Sequence, residues 1–145
     1  MDPDLVVAKL ESLARCVARI EGRAVSSPEA LAVDLDSQDI VALNLERAVQ
    51  ISVDIGSHVL LDYDTPSPES MGAVFSSLAA AGVLDAALAE RMTKAVGFRN
   101  IAVHEYQTID WNIVYSIITT KLGEFRLFAA AILALIANQG SGTDC

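Results

Sequence analysis

The sequence predicts an all-α protein, an antiparallel bundle of about five helices, three of them long, joined by short connections. Three observations carry that prediction. Hydrophobic residues make up 52% of the 145-residue chain, with many Ala and Leu and only 4 Pro and 8 Gly, a balance that suits helices packed on helices. Apolar residues recur at spacings of three and four along most of the length, which is the period of one helix face. No stretch alternates convincingly with period two, and no internal repeat is found.

Asp2 can cap the first helix, and Pro3 suits its first turn. Val6, Leu10, Leu13, Val17 and Ile20 then form one stripe, flanked by Lys9, Glu11, Arg15, Arg19 and Glu21, with Gly22 as the stop. Between Ala24 and Ser37 two starts are open, at Ser27-Pro28-Glu29 and at Asp36-Ser37, in a stretch rich in Ala and acidic residues to which no role is assigned. From Gln38 to about Leu61 the pattern is helical and apolar on much of its circumference. Val41, Leu45, Ala48, Ile55 and Val59 form one stripe, with Ile40, Leu43, Ile51 and Val53 around it. A helix of this kind is central and covered by several neighbours.

Asp62-Tyr63-Asp64-Thr65-Pro66 breaks that helix, by turn and capping chemistry. Ser67 is the expected cap of a short helix with Pro68 at its first position, Met71, Val74, Phe75 and Leu78 on one face, and Gly82 at its end. Asp85 starts the next helix, which runs through Leu88, Met92, Ala95, Val96 and Val103 to about Tyr106. After a turn at Gln107-Thr108-Ile109, Asp110 caps one last long helix. Its seam is Trp111, Val114, Ile118, Leu122, Phe125, Ala129, Ile132 and Ile136. Residues 1–138 are expected to form a single domain, and 139–145 a disordered tail.

Composition narrows the function classes. The formal net charge is −9, whereas proteins that coat nucleic acid carry a basic footprint. Any RNA contact therefore depends on a few local Arg and Lys residues. The two cysteines, Cys16 and Cys145, offer neither a disulfide framework nor metal-ligand spacing. Met1-Asp2-Pro3-Asp4 is acidic where a signal peptide is basic. The apolar run Leu127 to Ala137 is shorter than the roughly 20 residues that span a bilayer. A cytoplasmic protein away from membranes is the expectation.

The most polar cluster on an otherwise apolar helix is Arg99, Asn100, His104, Glu105 and Tyr106. At ~3.6 residues per turn, Asn100 and His104 are neighbours one turn apart, and Arg99 and Tyr106 lie nearly in line two turns apart. These types suit phosphoryl chemistry on RNA. A His with a reference pKa of ~6.5 can take a proton from a ribose 2′-hydroxyl. An Arg guanidinium can clamp the phosphate and stabilise charge in the transition state. Because the 2′-hydroxyl is the nucleophile, no metal and no cofactor is expected, and no carboxylate set stands at metal-binding spacing around the cluster. Arg91 and Lys94 lie close by on the same helix, and with Arg99 would make a basic strip for RNA. A solvated helix face accounts for the same residues, and spacing alone does not choose.

Other polar positions have plainer readings. His58, in the central helix, is expected to be a buried, hydrogen-bonded histidine, and Cys16 a small core residue. Trp111 is read as core or dimer interface. Glu46 and Arg47 make a surface ion pair, unless one of them orients Arg99 or His104.

The string Arg99-Asn100-Ile101-Ala102-Val103-His104-Glu105-Tyr106 resembles the R-x4-H-x-Y motif of HepT toxins in the HEPN superfamily, including the Asn after the Arg. The order of elements is similar too: a long second helix with Asn44-Leu45-Glu46-Arg47, a short helix, the motif late in the fourth helix, then a long last one. The resemblance spans roughly Leu5 to Ala137 and implies a HEPN-like homodimer with both motif helices facing a shared cleft. It implies the toxin of a type VII-like HEPN/MNT toxin–antitoxin system: a metal-independent endoribonuclease with Arg99 and His104 catalytic and Asn100 and Tyr106 supporting. The implied partner is an MNT-type nucleotidyltransferase antitoxin that silences the toxin by transferring AMP to Tyr106. The alternative is a non-catalytic helical partner, or substrate-presenting module, of a nucleotidyltransferase.

Overall fold

The computed structural model describes residues 1–23 and 25–142, with side chains through residue 140. Within them the chain forms α1 (Pro3–Glu21), α2 (Pro28–Val33), α3 (Leu35–Leu60), α4 (Met71–Ala80), α5 (Ala86–His104), a 3-10 turn (Tyr106–Thr108), α6 (Trp111–Thr120) and α7 (Gly123–Gly142). The all-α bundle is as expected, with seven α-helices among the described residues, against the five expected. The 24–37 segment supplies a short helix of its own, and the long last helix is two.

The starts of these helices are local chemistry. Asp2 accepts from the Asp4 and Leu5 amides, Ser27 from Ala30, Asp85 from Leu88 and Asp110 from Asn112, each satisfying an amide that the first turn leaves without a partner. Two starts differ from expectation. Asp34, not Asp36 or Ser37, caps α3 and accepts from the Ser37 amide at 3.1 Å. Ser70, not Ser67, caps α4, its hydroxyl accepting from Ala73. Gly82, at φ +81°, ends the α4 region in the left-handed conformation that a side chain disfavours.

The break between α6 and α7 falls at Lys121–Leu122, inside the apolar seam. Two β-branched residues precede it. Thr119 and Thr120 turn their hydroxyls back onto the carbonyls of Tyr115 and Ser116, a local bond that competes with the helix ladder. Gly123, a poor helix former, follows. At the other end α7 continues through Gly142, past Asn138 where a tail was expected. Extending an already nucleated helix adds one bond for each residue ordered. Residues 143–145 and Ala24 lie outside the described residues.

α3 is central, as its all-round apolar pattern demands: α1, α2, α4, α5 and α7 all pack on it. Its buried polar residues are satisfied internally. Gln38 Nε2 donates to the Leu31 carbonyl at 2.9 Å, Asn44 Nδ2 to Ile40 at 2.8 Å and Ser52 Oγ to Ala48 at 2.8 Å, so burial leaves no bond unmade. His58 is half-buried and its Nε2 accepts from the Asp2 amide at 3.0 Å, a structural tie between α3 and the start of α1. Cys16 is buried among apolar neighbours, and burial pushes its thiol up.

Gly56 marks the closest approach of α3 and α4. A Cβ there would stand 2.6 Å from Val74 Cγ1 and 2.9 Å from Leu78 Cδ1. Gly56→Ala gains about 1 kcal/mol of helix propensity and loses about 1–3 kcal/mol to overpacking. The expected net result is a loss of up to about 2 kcal/mol, read as a lower urea midpoint at unchanged slope. A higher midpoint would mean that α4 shifts freely.

Candidate functional site

The motif helix α5 ends two residues before its polar cluster does. Glu105 leaves the helix at φ −140°, ψ 47°, and Tyr106 opens the 3-10 turn. Tyr106 is therefore not in line with Arg99 on a helix face, as the spacing predicted. It swings to α3 instead, where its hydroxyl donates to Asp39 Oδ1 at 2.7 Å. The Trp111 ring meets its ring edge-on, with centroids 6.0 Å apart and planes at 69°. So Trp111, expected in the core or an interface, buttresses the tyrosine from the start of α6.

This arrangement makes a cleft of about 240 Å³ lined by Asp39, Ala42, Leu43, Glu46, Ala102 and Tyr106. Glu46 thus faces the cleft. Among the described residues neither it nor Arg47 forms an ion pair, contrary to the surface pairing expected of them. Burial first, and then the Asp39 carboxylate, pushes the Tyr106 phenol up to about 12, because both disfavour a phenolate there. Leu43, Ile101, Val103 and Tyr106 are exposed, so apolar side chains of α3 and α5 lie open around the cleft.

Arg99 and His104 stand on α5 on either side of Ala102. Arg99 is half-buried. Its Nη1 reaches Asn100 Oδ1 at 3.4 Å, and its Nε is buried without a hydrogen-bond partner among the described residues. His104 is exposed and makes no hydrogen bond or ion pair among them. Both cation-capable groups are thus free of any carboxylate. The chain brings Arg99, Asn100, His104 and Tyr106 to one end of α5, where the only direct bond among them in the described residues is that from Arg99 to Asn100.

A family model described as Ribonuclease HepT-like matches residues 13–132. The chain belongs to this family. The resemblance carried by residues 99–106 is thereby borne out. Among its HepT-like relatives is the mRNA nuclease HepT of Shewanella oneidensis, 31% identical over 131 residues, which span 90% of this chain and 98% of that protein. The tRNA nuclease HepT of Aphanizomenon flos-aquae is 25% identical over 132 residues, 91% of this chain and 90% of that one. Of solved structures, the tri-AMPylated S. oneidensis HEPN toxin in complex with MNT antitoxin matches with a TM-score of 0.84 at 31% identity, over 92% of this chain and 99% of that chain. A toxin–antitoxin complex with AMP-PNP matches at 0.84 and 30% identity, over 90% and 98%. YutE of Bacillus subtilis, at 13% identity and a TM-score of 0.82, shares the fold.

In this HepT-like chain the two further basic residues are partly committed. Arg91 Nε pairs with Glu124 at 3.3 Å, and Lys94 with Glu90 at 3.9 Å one turn away. Together with Lys121 they rim a second, apolar cavity of about 280 Å³ that includes Phe98 and Phe125. Among the described residues no three His, Cys, Asp or Glu side chains cluster to hold a metal ion, and no helix is long and apolar enough to cross a membrane. Asp39 was missed from sequence. It stands two residues beyond the acidic 24–37 stretch, and no local signal connects it to a tyrosine 67 residues away.

Proposed function

We propose that this protein is the toxin of a HEPN/MNT toxin–antitoxin pair, a metal-independent endoribonuclease silenced by AMP transfer to Tyr106. The observation that carries this reading is the state of the motif: in a HepT-like chain, Arg99 and His104 are free of internal ion pairs among the described residues, on the helix whose Ala102 lines a cleft together with Tyr106. An exposed imidazole can take the proton of a ribose 2′-hydroxyl. The 2′ oxygen then bonds to the adjacent phosphorus while the bond to the 5′ oxygen breaks, leaving a cyclic phosphate and a 5′-hydroxyl protonated by water. Arg99 stabilises the charge that builds on the phosphoryl oxygens, and Asn100, at its guanidinium, holds it in place.

The protein acts as a homodimer in the cytoplasm, residues 1–138 forming the HEPN-like domain, with two motif helices around one RNA-binding cleft. The exposed apolar side chains Leu43, Ile101 and Val103 beside the motif support a second copy there. Arg91 and Lys94 contribute a local basic strip for RNA, doubled in the dimer, within a chain of net charge −9. Silencing follows from size and charge: an adenylyl group on Tyr106 fills the cleft and offers Arg99 a competing phosphate.

The net acidity favours a second reading, a non-catalytic partner that the nucleotidyltransferase binds and modifies. Intact mass tests the first. The protein made beside its antitoxin gains one AMP mass or a multiple, mapped to Tyr106, and loses RNA cleavage. The protein made alone keeps its own mass and cleaves RNA. Cleavage absent in the unmodified protein selects the second reading, and no mass gain removes the modification from both.

A further inference from the structure

Tyr106 is a poor nucleophile in its resting state. With the phenol pushed up to about 12, only about one molecule in 10⁵ carries a phenolate at pH 7. Its proton must therefore leave during transfer, to a base already within reach. The Tyr106 hydroxyl donates to Asp39 Oδ1 at 2.7 Å, inside the range that general-base transfer requires, and bonds no other group among the described residues. Asp39 is exposed and forms no ion pair among them, so no cation competes for its carboxylate. The cleft walls admit few other bases. The titratable groups lining it are Asp39 and Glu46 of α3 and Tyr106 itself, while Ala102 of α5 is apolar and the Trp111 ring packed from α6 is uncharged.

We propose that Asp39 is the general base for nucleotidyl transfer to Tyr106, so that the toxin carries its own nucleophile–base pair for the reaction that silences it. This rests on the reading of Tyr106 as the modified residue. The Tyr106 oxygen attacks the α-phosphorus of the nucleoside triphosphate held by the nucleotidyltransferase. The new bond is tyrosyl oxygen to α-phosphorus, and the bond from α-phosphorus to the bridging oxygen breaks. Pyrophosphate leaves with that electron pair. The phenolic proton passes to Asp39 Oδ1 and then to solvent.

The same geometry gives the product its direction. The esterified oxygen has no proton to donate, so the bond tying the 3-10 turn to α3 is gone. The new phosphodiester carries a negative charge beside the reionised Asp39, and like charges at that distance repel. The adduct is pushed off the Asp39 carboxylate. Asp39 thus both draws the proton out and repels the charged product.

The test is the single-turnover rate of mass gain at Tyr106, using the full chain, saturating nucleotidyltransferase antitoxin and Mg-ATP, between pH 7 and 9. Saturation keeps weakened docking out of the rate. Asp39→Asn is expected to slow the first adduct about 100-fold at pH 7. The deficit then shrinks about tenfold per pH unit as the unassisted phenolate forms, while Asp39→Glu recovers most of the rate. A purely structural Asp39 would give a deficit independent of pH. That outcome, a wild-type rate in Asp39→Asn, or the pH-dependent loss appearing in Glu46→Gln instead, each overturns the proposal. Wild type that gains no mass at Tyr106 refutes the modification reading and the base with it, a result distinct from wild type and Asp39→Asn being modified alike.

Discussion

His104→Ala is expected to lower RNA cleavage by the unmodified protein about 10²–10⁴-fold, the usual contribution of a positioned general base. Arg99→Ala is expected to cost about 10²–10³-fold, as loss of one charge-stabilising donor does. The two differ in what else they disturb. His104 is exposed and bonds nothing among the described residues, so its removal should shift stability by no more than about 0.5 kcal/mol. Arg99 is half-buried with its Nε enclosed, and its loss will also relax the packing around Asn100. The measurement is cleavage of end-labelled RNA by purified variants, with circular dichroism to verify the fold and growth arrest as the cellular readout. A folded His104→Ala protein that cleaves at the wild-type rate removes His104 from the chemistry.

Phe128→Ala carries the largest expected effect on stability. Phe128 is fully buried on α7 and meets Phe75 of α4 edge-on, with centroids 5.9 Å apart and planes at 86°. With Phe125 and Ile132 it is among the buried side chains of α7. Truncating a buried Phe costs about 3–5 kcal/mol, against a total of about 5–15 kcal/mol for an ordinary domain. The expected result is a urea midpoint lowered by about a fifth or more, with cleavage lost in proportion to the unfolded fraction. Phe128→Leu, which refills most of the volume, should recover the larger part. A loss below about 1 kcal/mol would mean that α7 collapses into the space, or that the aromatic contact is dispensable.

The contrast between these variants follows what was legible from sequence. The chemical candidates Arg99, Asn100 and His104 could be named because they interrupt an apolar helix at a recognised spacing, and the helix they were assigned to exists. Tyr106 was expected on the motif helix and lies beyond its end. Helical periodicity carries no term for a chain that leaves the helix at Glu105 to satisfy a phenol on another element. The bond to Asp39 depends on where α3 and α5 come to lie, and 67 residues separate the partners. Glu46 was read through the same local lens, as half of an ion pair with its neighbour Arg47, when its surroundings are set by the turn that carries Tyr106.

What the sequence by itself determined is whatever rests on short-range physics. Caps at Asp2, Asp85 and Asp110 accept amides within three residues of their own position. The all-round apolar pattern of α3 requires neighbours on several sides, and the motif residues interrupt the apolar pattern of α5. Tertiary structure alone decided the rest. The seam from Trp111 to Ile136 is continuous in hydrophobicity, yet the chain breaks at Lys121–Leu122, so that the short α6 packs on α2 while the long α7 packs on α1 and α5. The cleft exists for the same reason: α3, α5 and the 3-10 turn meet there, and only their packing brings a carboxylate to the tyrosine.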